Sequence, residues 1–116
     1  MRPRNYITLP MIKERNKYLV RVSELTGIPS DTIMGGRRFH DIVVARALLA
    51  WVLVDLCGYT TTQAGILLRK HYSSVIYLRK KLTTAIRLPM DIVAIMEDLK
   101  IYNQQLNQQQ NEQQKD

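Results

Sequence analysis

The stretch Thr60-Thr61-Thr62-Gln63-Ala64-Gly65-Ile66-Leu67-Leu68-Arg69-Lys70-His71-Tyr72-Ser73-Ser74-Val75-Ile76-Tyr77-Leu78-Arg79-Lys80-Lys81-Leu82 decides how this chain reads. Thr60 and Gln63 have the spacing of a capping box, in which the hydroxyl accepts from the N–H three residues on and the amide reaches back. A helix of about two turns is therefore expected from Thr61 to Leu68. Arg69 to Tyr72 form a short polar connection, and Ser73 or Ser74 can cap a second helix running through Leu82. Val75, Ile76 and Leu82 are expected in the core, which leaves Arg79, Lys80 and Lys81 along the outer faces.

Outward from that pair, helical periodicity continues and no alternating strand of useful length is found. Thr8 and Pro10 resemble a helix start, followed by the stripe Met11, Ile12, Leu19, Val22 and Leu25 and a stop at Gly27. Ser30 can cap a short turn through Ile33 and Met34 before Gly35-Gly36 break the chain and Arg37-Arg38 follow. Ile42 to Cys57 are apolar except for Arg46 and Asp55. Sixteen residues fall short of the ~20 that span a bilayer, so a buried central helix that contains Trp51 is expected, with Asp41 near its start and Gly58 at its end. Leu88-Pro89 marks the next boundary, and Ile92, Ile95, Met96, Leu99, Tyr102 and Leu106 form the stripe of a final helix. Ten of the fourteen residues from Asn103 onward are Asn or Gln, too polar to offset their ordering entropy, so fraying is expected near Leu106. The expected organisation is an all-α, small multi-helix bundle over residues 1–102, containing a helix-turn-helix, and a frayed or disordered tail over 103–116. The final stripe either closes the monomer core or forms a homodimer seam through residues 92–106.

The charge is uneven. The net +7 divides into +10 over residues 1–90, with fifteen basic and five acidic groups, and −3 over residues 91–116. No acidic residue separates Asp55 from Asp91, a span with Arg69, Lys70, Arg79, Lys80, Lys81 and Arg87. A polyanion is the natural partner, with nucleic acid ahead of a membrane surface. One cysteine, Cys57, and two histidines offer no internal disulfide and no Cys/His metal set, and no cofactor is implied. Neither clustered carboxylates nor a nucleophile with its base points to an enzyme. The short, mixed segment after Met1-Arg2-Pro3-Arg4 is not a signal-peptide core, so a cytoplasmic protein is expected.

Two helices and a tight turn, the second helix polar and basic, are what a DNA-reading element needs: one helix braces and the other enters the major groove. Tyr72, Ser73, Ser74 and Tyr77 lie at or near the first turn of the second helix, where base edges come within reach. Arg79, Lys80 and Lys81 are placed to meet flanking phosphates. About six phosphate contacts predict a slope of log K against log salt near −5.

Gly58-Tyr59-Thr60, Gln63-Ala64-Gly65, His71-Tyr72-Ser73-Ser74-Val75-Ile76-Tyr77 and Arg79-Lys80-Lys81-Leu82 resemble the C-terminal DNA-binding domain of the bacterial replication initiator DnaA, a Trp-repressor-like helix-turn-helix. Val22 to Pro29, Ile33 to Arg38 and Val44-Ala45-Arg46 match that domain's opening helix, basic loop and long helix in order, so the resemblance covers about residues 19 to 82. It implies base or groove contact by Arg37 or Arg38 and at the positions of His71, Tyr72, Ser73 and Ser74, while Tyr77 is a candidate by its place near the helix start. The resemblance implies phosphate contact by Arg46 and Lys81; Arg79 and Lys80 join them by their place on the outer faces of the second helix, and Arg69 and Lys70, which stand where the family has a glycine pair, by their charge in the turn. The family signature Asp-His-Thr-Thr becomes His71-Tyr72-Ser73-Ser74, which keeps the hydroxyls and alters the other two side chains. The family's ATPase loop has no counterpart here, because Gly35-Gly36-Arg37 lacks both the spacing and the lysine. A free-standing double-stranded DNA binder is expected, of the kind found in phage, mobile elements or small regulators of replication or transcription.

Other readings stay open at several residues. Arg46 is either a phosphate ligand or the partner of Asp41 or Glu24. Arg37 and Arg38 either touch DNA or solubilise a loop, and His71 and Tyr72 either contact DNA or fill the turn. A helical module that binds RNA, single-stranded DNA or an acidic protein is the alternative, since His71 and Tyr72 could stack on unpaired bases.

Overall fold

The computed structural model describes residues 6–83 and 90–114, and all regular structure among them is helical. The boundary expected at Leu88-Pro89, the basic residues Arg2, Arg4 and Arg87, and the last two tail residues lie outside the described residues. Helix α1 (Leu9–Thr26) starts at Thr8, whose hydroxyl accepts from the Met11 N–H at 3.3 Å while the Met11 sulfur faces the Thr8 N–H. It stops at Gly27, where φ of 75° suits a residue without Cβ. The short α2 (Ser30–Met34) follows Pro29; Ser30 is its first residue and does not cap it. The turn before it is instead held by the Ser23 hydroxyl, which donates to the Ile28 carbonyl at 2.6 Å.

The apolar run forms α3 (His40–Trp51) and then a wider π-helical turn, Val52–Leu56, before Gly58 reverses the chain at φ 80°. Residues Ala45 to Leu53 are all buried, Trp51 among them, and α1, α2 and the helix over Tyr72–Thr83 pack on α3. Helix α4 (Thr61–Leu68) begins at the expected capping box, with Thr60 and Gln63 exchanging bonds of 3.0 and 3.1 Å. Helix α5 (Tyr72–Thr83) lies against both α3 and α4. Its buried residues are Val75, Leu78 and Leu82. Leu78 thus takes the core place expected of Ile76, which is only half-buried, because positions three and seven beyond Val75 share its face.

Helix α6 (Met90–Gln114) closes the bundle and runs past Leu106, where fraying was expected. Leu99 is fully buried, and Ile92, Ile95, Met96, Tyr102 and Leu106 pack on the core of the same chain. Two further contacts tie it to α1: Tyr102 meets Tyr18 edge-on, with ring centroids 5.6 Å apart, and the Asn103 amide donates to the Tyr18 hydroxyl at 2.6 Å. Asn103 and Leu106, assigned to the tail by composition, therefore belong to the packed body. Among the described residues no helix is long and apolar enough to cross a membrane.

Candidate functional site

The corner between α4 and α5 is built from backbone constraints. Helix α4 ends at Arg69 in the left-handed conformation, φ 60°, and the Lys70 N–H donates back to the Gly65 carbonyl at 2.8 Å. A Cβ on Gly65 would lie 2.8 Å from the Lys70 carbonyl oxygen and 3.3 Å from the Tyr72 nitrogen, so glycine is what lets the turn fold back on the helix. The next helix is started by His71, and neither Ser73 nor Ser74 caps it as expected: its Nδ1 accepts from the Ser73 N–H at 3.2 Å, and its carbonyl accepts from Ser74 and Val75. An imidazole nitrogen here supplies the acceptor that a Ser, Thr or Asp side chain supplies at most helix starts. The His71 ring also lies 4.4 Å from that of Tyr72, which is half-exposed.

Across from this corner runs the extended segment 35–39, which carries Arg37 and Arg38, both exposed. Its carbonyls are held from beneath. The Arg46 guanidinium, buried at 5% exposure, donates to the carbonyls of Ile33 at 2.9 Å, Gly35 at 2.7 Å and Arg37 at 3.1 Å. Lys70 reaches over from the turn and donates to the same Gly35 carbonyl at 2.9 Å. Neither Asp41 nor Glu24 is Arg46's partner: Glu24 pairs with Arg21 at 3.5 Å. Burial and the neighbouring Arg38 charge push Arg46 below its usual value, and burial, Arg46 and Arg38 do the same to Lys70. Cations crowded without a carboxylate repel one another, and an arriving anion relieves that repulsion.

Between the segment and α5 lies an open groove of about 760 Å³. It brings together seven of the residues singled out from the sequence: Arg38, Arg46, Lys70, Ser73, Ser74, Tyr77 and Lys81. Gly36, His40, Val43 and Leu78 complete its lining, with no acidic residue. His40 was not legible as a site residue, because the fold of segment 35–39 alone carries it to the groove. Lys81 sits with its ammonium 4.9 Å from the centre of the exposed Tyr77 ring. Arg37, Arg69, His71, Tyr72, Arg79 and Lys80 do not line the groove. Arg79 turns the other way and forms a two-pronged ion pair with Asp55 on the π-helical turn, at 2.7 and 2.9 Å, which raises its pKa.

No protein-family model matches this chain, and neither does any curated protein or solved structure.

Proposed function

We propose that this protein is a non-enzymatic, sequence-selective binder of double-stranded DNA that uses the groove between segment 35–39 and α5. The observation that carries the reading is the groove's lining, in which Arg38, Arg46, Lys70 and Lys81 stand around Ser73 and Ser74 with no carboxylate. A polyanion is the partner such a surface attracts, and hydroxyls at a helix start can reach base edges or phosphates. In this reading α4 braces α5 as in a helix-turn-helix, and α5 enters the major groove. The likeness of residues 19 to 82 to the DnaA DNA-binding domain points the same way, and a role in replication or transcription follows from it.

The internal bonds of Arg46, Lys70 and Arg79 refine the expected division of labour. Arg46 and Lys70 shape the groove, and Arg79 fastens α5. Phosphate contact then falls to the exposed cations Arg37, Arg38, Arg69 and Lys81. About four contacts predict a slope of log K against log salt of about −3.6 on duplex DNA. Selection from a random duplex library tests the reading: enrichment of one site, with a salt slope near that value, is expected. Recovery of unenriched sequence at every salt concentration would contradict sequence-selective binding. Tyr72 and its neighbour His71, whose surface rings lie 4.4 Å apart and tilted by 37°, favour unpaired bases as a second ligand. Competition of the selected duplex with single-stranded DNA and RNA separates the two readings.

A further inference from the structure

Phe39 is the chain's only phenylalanine and, at 71% exposure, the most exposed large apolar side chain among the described residues. Isolated apolar residues are ordinary on protein surfaces, so exposure alone says little. The setting of this one says more. It follows Arg37 and Arg38 directly and precedes His40, so its ring emerges from the most cationic part of segment 35–39. Its backbone is fixed on both sides: the Arg37 carbonyl is held by Arg46, and the Phe39 carbonyl accepts the Val43 N–H at 2.9 Å as α3 begins. The ring is thus mounted on backbone held at both ends, between Arg38 and His40, which line the groove.

An apolar ring beside arginines on a rigid support is the arrangement with which DNA-bending proteins part a base step. The arginines hold the groove and its phosphates while the ring replaces one base as a stacking partner. We propose that Phe39 is such a wedge, entering the base stack of the bound duplex so that binding kinks the DNA. The proposal rests on the duplex-DNA reading above and adds an activity to it, deformation of the bound site. A rigid mount matters because a ring on a loose loop would lose ordering entropy on insertion as well as paying for unstacking.

The test uses the full chain and its selected duplex, with 2-aminopurine placed at successive steps and a fluorophore pair at the duplex ends. Wild-type protein is expected to raise 2-aminopurine emission at one step and to shorten the end-to-end distance. Phe39→Ala should lose both signals while affinity falls about tenfold or less, because lost stacking is offset by unstacking no longer required. Phe39→Leu, still an apolar wedge, should keep part of both. Tight binding by wild type with neither signal, or equal signals from wild type and Phe39→Ala, overturns the wedge and leaves DNA binding standing. Absence of any duplex binding overturns both.

Discussion

The α4–α5 corner and segment 35–39 face each other across one groove, yet they are held by different means. The corner is shaped by its own backbone: a glycine that admits the turn, a residue at φ 60°, and a histidine that starts the next helix two residues later. The segment has little such support of its own. Its carbonyls are held by Arg46, several residues further on in α3, and by Lys70, which belongs to the corner. Basic residues that look alike in the sequence therefore differ in the structure: Arg46 and Lys70 hold main-chain carbonyls of the groove, whereas Arg38 and Lys81 are exposed along it. Lys70 joins the two regions, so damage to the corner should reach the segment, whereas damage to the segment should leave the corner standing.

That asymmetry can be broken by substitution. Arg46→Met removes a donor from three carbonyls at once, of which only that of Gly35 keeps Lys70, and each buried acceptor left unmet costs about 1–3 kcal/mol. Partial hydration of the segment softens the sum to about 3 kcal/mol, a fall in Tm of ~10 °C or more in thermal denaturation. Arg46→Lys should recover little of it, since an ammonium cannot serve three carbonyls from the same fork. Gly65→Ala comes next, at about 1–3 kcal/mol, because the new methyl meets backbone at 2.8 Å. Its effect should spread to segment 35–39 through Lys70, visible as faster amide exchange at residues 35–37. The smallest change has the opposite sign: Arg69→Gly relieves a left-handed backbone and should raise stability by about 0.5–1 kcal/mol, at the cost of one exposed cation.

The same division explains what could be read in advance. Helix α4 was legible to the residue because its start is signalled locally by Thr60 and Gln63, and Gly27 marked the end of α1 in the same way. The face of α5 was also within reach, since Val75, Leu78 and Leu82 share a helical face that Ile76 does not, and the hydrophobicity of Ile76 outweighed its position. Arg46 was open between a phosphate and a carboxylate because its actual partners are main-chain carbonyls, which have no signature in side-chain chemistry. Arg79 counted as a phosphate ligand for a related reason: its partner Asp55 lies 24 positions earlier, on a π-helical turn that periodicity does not announce. Polar composition likewise placed Asn103 and Leu106 in a tail, although a single bond to Tyr18 and one apolar contact keep them on the body. Seven of the thirteen residues proposed for the site meet in the groove, since α5 and the segment were each recognised by composition and the bundle brings them together.

In the proposed function Arg38 and Lys81, on opposite banks of the groove, hold DNA and not the fold. The direct measurement is duplex affinity and Tm of Arg38→Ala, Lys81→Ala and the double variant. A loss of about tenfold for each single change, near the ~1.5 kcal/mol of a charge-assisted bond, and about a hundredfold for both is predicted, with Tm unchanged. Wild-type affinity in the double variant would contradict the account.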